Sequence, residues 1–278
     1  MFELLDFLCD RGVDGIALMG STGEFPHFSV AERNRLVSLA VKRSRVPVLA
    51  GVSHSTFDGA LAMAREAAVE GAVGVLLMPP YFFPYAQQDV LHFYLRFAEE
   101  FKQAAPIVLY DIPSFTTPIA RETAEELLST GLFAGIKDSS LSWEQFVALK
   151  SLRDRHPFDL MVGQDALFTR ERMEGADGLI SGVASAVPEL LVALDHAILA
   201  RETERIGRLD CHLQEFVSRI AAFPAPVAIR EAVTARGLWA GPPAVPPGPE
   251  SQGKLDEFAG WFRSWLPGIE KECSNEER

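Results

Sequence analysis

Phe133-Ala134-Gly135-Ile136-Lys137-Asp138-Ser139-Ser140 begins as a short apolar run and closes on a lysine followed by polar residues. Runs of the same kind recur at Gly15–Met19, Pro47–Val52, Gly74–Met78, Pro106–Tyr110, Phe133–Ile136, Asp159–Val162 and Gly178–Ile180. Their first residues lie 32, 27, 32, 27, 26 and 19 positions apart. Each is flanked by Gly or Pro and is too apolar to be a half-exposed antiparallel strand, so each is expected as a strand covered on both faces. Helical stretches with start signals fall between them. Ser29-Val30-Ala31-Glu32 and Ser142-Trp143-Glu144-Gln145 have the form of capping boxes, and Gly71 is placed to end the Ala-rich stretch Thr56–Glu70. Strand and helix alternating at this interval predict βα units and a parallel sheet.

Seven such units without a break in composition predict a (β/α)8 TIM barrel over two separate α/β domains. The expected division is 1–187 for the barrel with its active site and 188–278 for a C-terminal helical region packed on it. That region should hold helices at Glu189–Arg201, Glu204–Ala221, Pro226–Arg236 and Gln252–Trp265, a Pro-rich loop at Gly241–Pro249 and a frayed polar tail at Lys271–Arg278. One strand is missing from the count of eight. The chain opens on a helical stretch, Phe2–Asp10, so the start is either truncated or mis-set, or the barrel is open at one seam.

Charge and composition narrow the function. A formal net charge of -12 argues against nucleic acid or an anionic membrane surface as partner, because both require a basic patch. Cys9, Cys211 and Cys273 are far apart and in no metal-ligand spacing, which fits free thiols in a reducing compartment. No basic leader and no apolar run of about 18 residues is seen, and a cytoplasmic protein is expected.

The chemistry is expected at the C-terminal ends of the strands. Three of these ends carry reactive groups. Gly20-Ser21-Thr22-Gly23-Glu24 offers hydroxyls and backbone N–H groups suited to a carboxylate, although Ser21 and Glu24 also read as another capping box. Tyr110-Asp111-Ile112-Pro113 places a phenol at the barrel mouth, where it can pass a proton; taken singly it equally reads as a core tyrosine with a backbone partner. Lys137 closes the next strand 27 residues later. A desolvated amine condenses with a ketone to give a Schiff base, whereas a lysine in the following loop would simply face water. Adjacent strands would set Tyr110 beside Lys137, which neither bland reading predicts.

These motifs, in this order and spacing, resemble the dihydrodipicolinate synthase/N-acetylneuraminate lyase family of class I aldolases. Gly163-Gln164-Asp165 and Gly178-Leu179-Ile180-Ser181-Gly182-Val183-Ala184-Ser185 are similar to that family's last two barrel strands. The resemblance implies that Lys137 forms the Schiff base with the C2 carbonyl of pyruvate or a related 2-oxo acid. It implies that Tyr110 relays protons, that Ser21 and Thr22 hold the carboxylate, and that Ile180 closes the pocket beside the adduct. No cofactor or metal is implied. The implied partners are a small 2-oxo acid and an aldehyde, and the implied assembly is a homodimer or homotetramer.

Two departures bear on the substrate. The family's synthases carry an arginine where this chain has Phe115, in Pro113-Ser114-Phe115-Thr116-Thr117, and a phenyl ring cannot replace a bidentate guanidinium. They also carry a relay tyrosine where Pro80-Tyr81-Phe82-Phe83-Pro84 has Phe82, with Tyr81 and Tyr85 as stand-ins. Lys137-Asp138-Ser139-Ser140 is more similar to the 2-oxo-3-deoxy sugar acid and 4-hydroxy-2-oxoglutarate aldolases. The expected activity is therefore cleavage or formation of a 4-hydroxy-2-oxo acid with pyruvate as one partner. A dehydratase of a deoxy-oxo sugar acid follows, then dihydrodipicolinate synthase proper, then a barrel that binds a 2-oxo acid without turnover.

Overall fold

The computed structural model describes residues 1–274. In chain order its elements are α1 (Phe2–Asp10), β1 (Ile16–Leu18), α2 (Val30–Arg43), β2 (Val48–Gly51), α3 (Phe57–Glu70), β3 (Gly74–Leu77), α4 (Gln87–Phe101), β4 (Ile107–Asp111), α5 (Arg121–Ser129), β5 (Gly135–Asp138), α6 (Trp143–Arg153), β6 (Asp159–Val162), α7 (Phe168–Met173), β7 (Gly178–Leu179), α8 (Pro188–Ala200), α9 (Thr203–Ile220), α10 (Val227–Ala235) and α11 (Pro249–Cys273). They form two compact units, Gly15–Ile180 and Met1–Asp14 with Ser181–Arg278.

The first of these units is a (β/α) barrel with one strand fewer than eight. All seven strands are parallel and lie in sequence order, with β1 and β7 as the two edges of the sheet among the described residues. The strands are the apolar runs of the sequence with their ends moved by at most two residues. One shift matters: β5 begins at Gly135 and continues through Lys137 to Asp138, so the lysine belongs to the strand and not to the loop after it. Two glycines let neighbouring strands close up. A Cβ on Gly135 would strike the Asp159 carbonyl across the β5–β6 ladder, and one on Gly51 would strike the carbonyl of Met19.

The helices bury the stripe their sequence dictates. α4 turns Val90, Phe93, Tyr94, Phe97 and Phe101 inward at intervals of three and four, and Tyr94 Oη donates to the Leu77 carbonyl at 3.0 Å, tying the helix to the end of β3. Ser29 and Glu32 make the full capping box that opens α2. The box expected at Ser142 forms only in part. Ser142 Oγ accepts from the Gln145 N–H at 3.2 Å, but the Ser142 N–H turns back to Ser140 Oγ at 3.2 Å.

In the second unit the chain from Pro188 onward is helical, as expected, but α11 does not stop near Trp265. It runs to Cys273 through Pro267, although an internal proline removes a donor and clashes with the carbonyl four residues earlier, at a cost of about 3 kcal/mol. Packing offsets that cost. Ile269 and Cys273 are buried beyond the proline. Glu270 pairs with Arg236 at 3.0 Å and with Arg11 at 3.3 Å, and Glu272 pairs with Arg208 at 2.9 Å. The expected frayed tail is thus helical at its start, and residues 275–278 lie outside the described residues.

The approach of Gly51 to Met19 generates a prediction. Gly51→Ala places a methyl group against a backbone carbonyl in a packed sheet, and overpacking of this kind costs about 1–3 kcal/mol. The midpoint of urea unfolding should fall accordingly with an unchanged m value.

Candidate active site

Parallel pairing sets Tyr110 of β4 opposite Lys137 of β5, and Asp111 opposite Asp138. Side chains alternate along a strand, so the phenol and the amine share one face of the sheet while the two carboxylates share the other. Lys137 Nζ lies 4.2 Å from the centroid of the Tyr110 ring. Both residues are buried, at 6% and 2% exposed. The nitrogen thus stands over the face of the phenol ring.

Ser21 comes from the turn after β1, at an edge of the sheet. Its Oγ is 3.1 Å from Tyr110 Oη. β1 and β4 are three strand spacings apart, about 14 Å along a flat sheet. Contact across that interval requires the sheet to curl, with Ser21, Tyr110 and Lys137 inside the curve. The turn that brings Ser21 there leaves β1 at Met19, whose φ of +61° lies in the left-handed region, and a second left-handed residue, Glu24 at +53°, closes it. Ser21 is not a cap. The short 3-10 helix after Glu24 has no side-chain cap bond, and Glu24 N–H donates to the Ser21 carbonyl at 3.0 Å while the hydroxyl meets the phenol.

Thr22 sits in the same turn and is half-buried. Ile180 follows β7 directly and prolongs its ladder, donating its N–H to the Val162 carbonyl at 2.9 Å, with a half-buried side chain. The structure thus brings Ser21, Tyr110 and Lys137 into one contact chain and sets Thr22 and Ile180 at the ends of their strands. Phe115 and Phe82 lie in the loops after β4 and β3 and are 54% and 83% exposed. Those loops are joined: Tyr81 bridges Thr116, and Tyr85 N–H donates to Thr117 Oγ1 at 2.9 Å.

The outer face holds residues that sequence reasoning passed over. Asp111 Oδ1 accepts from the Ile119 N–H at 2.9 Å and Asp138 Oδ1 from the Ser140 N–H at 2.8 Å, so each carboxylate fastens the loop after its own strand. Burial pushes the Asp111 carboxyl up to about 7, partly offset by that bond and reinforced by the negative charge of Asp138. Asp138 is likewise raised by burial. Glu171 on α7, also buried, is pushed up to about 8 by burial and then by Asp138. The available signal was the acid that follows the tyrosine and the lysine in turn, since alternation sends both to the same outer face. Ser139 carries a buried hydroxyl with no hydrogen-bond partner and lies against Gly163, where a Cβ would collide with it. Among the described residues no group of three or more His, Cys, Asp or Glu is arranged to hold a metal ion, and no helix is long and apolar enough to cross a membrane.

A parallel barrel with an amine and a phenol side by side at adjacent strand ends has the frame of an aldolase-type lyase, and the comparisons with known proteins agree. Residues 1–261 match the Dihydrodipicolinate synthetase family, and the chain belongs to that family. It is 33% identical to an uncharacterized DapA-like lyase of Halobacterium salinarum over 239 residues, 84% of this chain and 76% of that protein. It is 32% identical to a probable 2-dehydro-3-deoxy-D-pentonate aldolase of Escherichia coli over 203 residues, 71% of this chain and 67% of that one. Among solved structures, the 4-hydroxy-tetrahydrodipicolinate synthase of Methylacidiphilum fumariolicum superposes with a TM-score of 0.86 at 26% identity, covering 98% of this chain and 92% of that one.

The raised carboxyls generate a pH prediction. A carboxyl with a higher pKa folded than unfolded contributes stability that is fully present at low pH and is lost as pH rises through the folded value. For Glu171 that loss spans about pH 4 to pH 8, at up to about 1.4 kcal/mol per pH unit. Glu171→Gln should flatten the fall in unfolding free energy across this window, measured by urea titration at each pH. An identical slope in variant and wild type would show that Glu171 does not hold a proton in the fold.

Proposed function

We propose that the protein is a Schiff-base lyase that cleaves a 4-hydroxy-2-oxo acid to pyruvate and an aldehyde, or joins them in reverse. The observation that carries this reading is the contact chain from Lys137 Nζ over the Tyr110 ring to Ser21 Oγ, buried on the inner face of the sheet. The Lys137 amine adds to the C2 carbonyl and water leaves, giving a protonated imine. The C3–C4 bond then breaks. Its electron pair flows into the imine to give an enamine, while Tyr110, which has given its own proton to the departing carbinolamine hydroxyl and become a phenolate beside Ser21, takes the proton of the C4 hydroxyl. Protonation at C3 and hydrolysis release pyruvate and the free amine. Ser21 and Thr22, with the N–H groups of their turn, hold the substrate carboxylate, and Ile180 walls the adduct.

Phe115 in place of a guanidinium supports an acceptor without a second carboxylate, and the similarity to a probable 2-dehydro-3-deoxy-D-pentonate aldolase points to deoxy-oxo sugar acids.

Two experiments test the reading. Incubation with pyruvate and cyanoborohydride should add one pyruvic acid less an oxygen to the intact protein, on the peptide containing Lys137. An adduct absent from the wild type, or retained in Lys137→Ala, sinks it. In a coupled assay, 2-oxo-3-deoxy sugar acids should release pyruvate at least about ten-fold faster than aspartate semialdehyde is consumed with pyruvate. The opposite ranking would return the protein to the synthase reaction.

A further inference from the structure

A buried cation stands behind the turn that carries Ser21 and Thr22. Arg33 leaves the first turn of α2 and is only 3% exposed. Its Nη1 donates to the Ser53 carbonyl at 2.9 Å and its Nη2 to the Gly51 carbonyl at 3.1 Å, both at the end of β2. The guanidinium carbon lies 4.7 Å from the centroid of Phe25, the residue that follows the turn. The turn is therefore tied to this cation directly at its end and through Gly51 at its start. Met19, where it begins, presses its carbonyl against Gly51, and Phe25, where it finishes, lies against the guanidinium. Phe25 in turn meets the edge of Tyr81, with ring centroids 5.5 Å apart.

This charge lacks a counter-ion. No carboxylate among the described residues pairs with Arg33, and its buried Nε has no hydrogen-bond partner. Two carbonyl dipoles and an aromatic face offset part of the desolvation cost of a buried guanidinium. Burial lowers its pKa to about 10, so it stays charged at neutral pH. A buried cation that the fold leaves unneutralised, beside a turn that carries the hydroxyls of Ser21 and Thr22, is an electrostatic seat for an anion.

We infer that Arg33 is a positioning residue that supplies, from behind the Gly20–Glu24 turn, the positive charge for the carboxylate of the 2-oxo acid. The inference rests on the imine reading of the site. The cation touches no substrate atom. It lowers the energy of an anion held by Ser21 and Thr22 and fixes the turn that holds it, so its effect falls on binding of the acid and not on carbonyl chemistry at Lys137.

The test compares pyruvate with methyl pyruvate, which has the same ketone and no charge. The concentration of each that half-saturates cyanoborohydride trapping is measured for the wild type, for Arg33→Gln, which keeps donors for the two carbonyls but loses the charge, and for Arg33→Lys, which keeps the charge. Arg33→Gln should raise the half-saturating pyruvate concentration by about ten-fold and leave methyl pyruvate within about two-fold, while Arg33→Lys stays near the wild type for both. Equal weakening for acid and ester would make the role purely structural and overturn the inference. If Arg33→Gln does not fold, Arg33→Lys decides alone: retained preference for the acid supports the charge, and lost preference overturns it. A wild type that traps neither ketone removes the imine reading itself, an outcome distinct from failure of the Arg33 role.

Discussion

The register between β4 and β5 is the constraint on which the site depends. It sets Tyr110 opposite Lys137 and Asp111 opposite Asp138, and the two-residue period of a strand sends each pair to its own side of the sheet. A slip of one residue in β5 would put Asp138 or Ile136 opposite Tyr110 in place of the amine. Gly135 protects the register on the other flank, because any side chain there would push β6 away. The curl of the sheet then completes the site by carrying the turn after β1 across to Tyr110.

Charge is distributed unequally across that sheet. The inner side holds a buried amine with a phenol and a hydroxyl for company, and a buried guanidinium is bonded to carbonyls at the end of β2. The outer side holds three buried carboxyls that fasten loops or face one another. The Lys137 amine and the carboxyls of Asp111 and Asp138 lie on separate faces of the sheet, and Arg33 pairs with no carboxylate among the described residues. Separate burial costs several kcal/mol per unpaired ion, so raised carboxyl pKa values on one side and an unneutralised cation on the other have one cause.

Much of this was legible in the sequence, because strands buried on both faces leave a composition signal that needs no tertiary knowledge. The apolar runs, their spacing and the residues closing β4 and β5 were enough to expect a parallel barrel with Tyr110 beside Lys137. Other features depended on neighbours far away in the chain. Arg33 reads as an ordinary polar helix residue until the end of β2 is seen beneath it. Glu171 reads as solvent-facing until Asp138 and the burial of α7 are known. The passage of α11 through Pro267 was hidden because local propensity opposes it, and only buried Ile269 and Cys273, with the ion pairs of Glu270 and Glu272, override that preference. Ser21 was ambiguous for the opposite reason. Its local pattern fits a cap, and the phenol hydroxyl three strands away claims it instead.

The fastening between the loops after β3 and β4 has a consequence for how such a site changes over time. Tyr81 bridges Thr116, the Tyr85 amide leans on Thr117, and the Gln87 side chain donates to the Pro118 carbonyl while accepting from the Ala120 amide and the Thr123 hydroxyl. Phe82 and Phe115 are therefore presented on what is mechanically one flap. A substitution that reshapes one loop drags the other with it, so changes in what these loops contact should arise from coordinated replacements on both. The strands below, which hold the amine and the phenol, need not move at all.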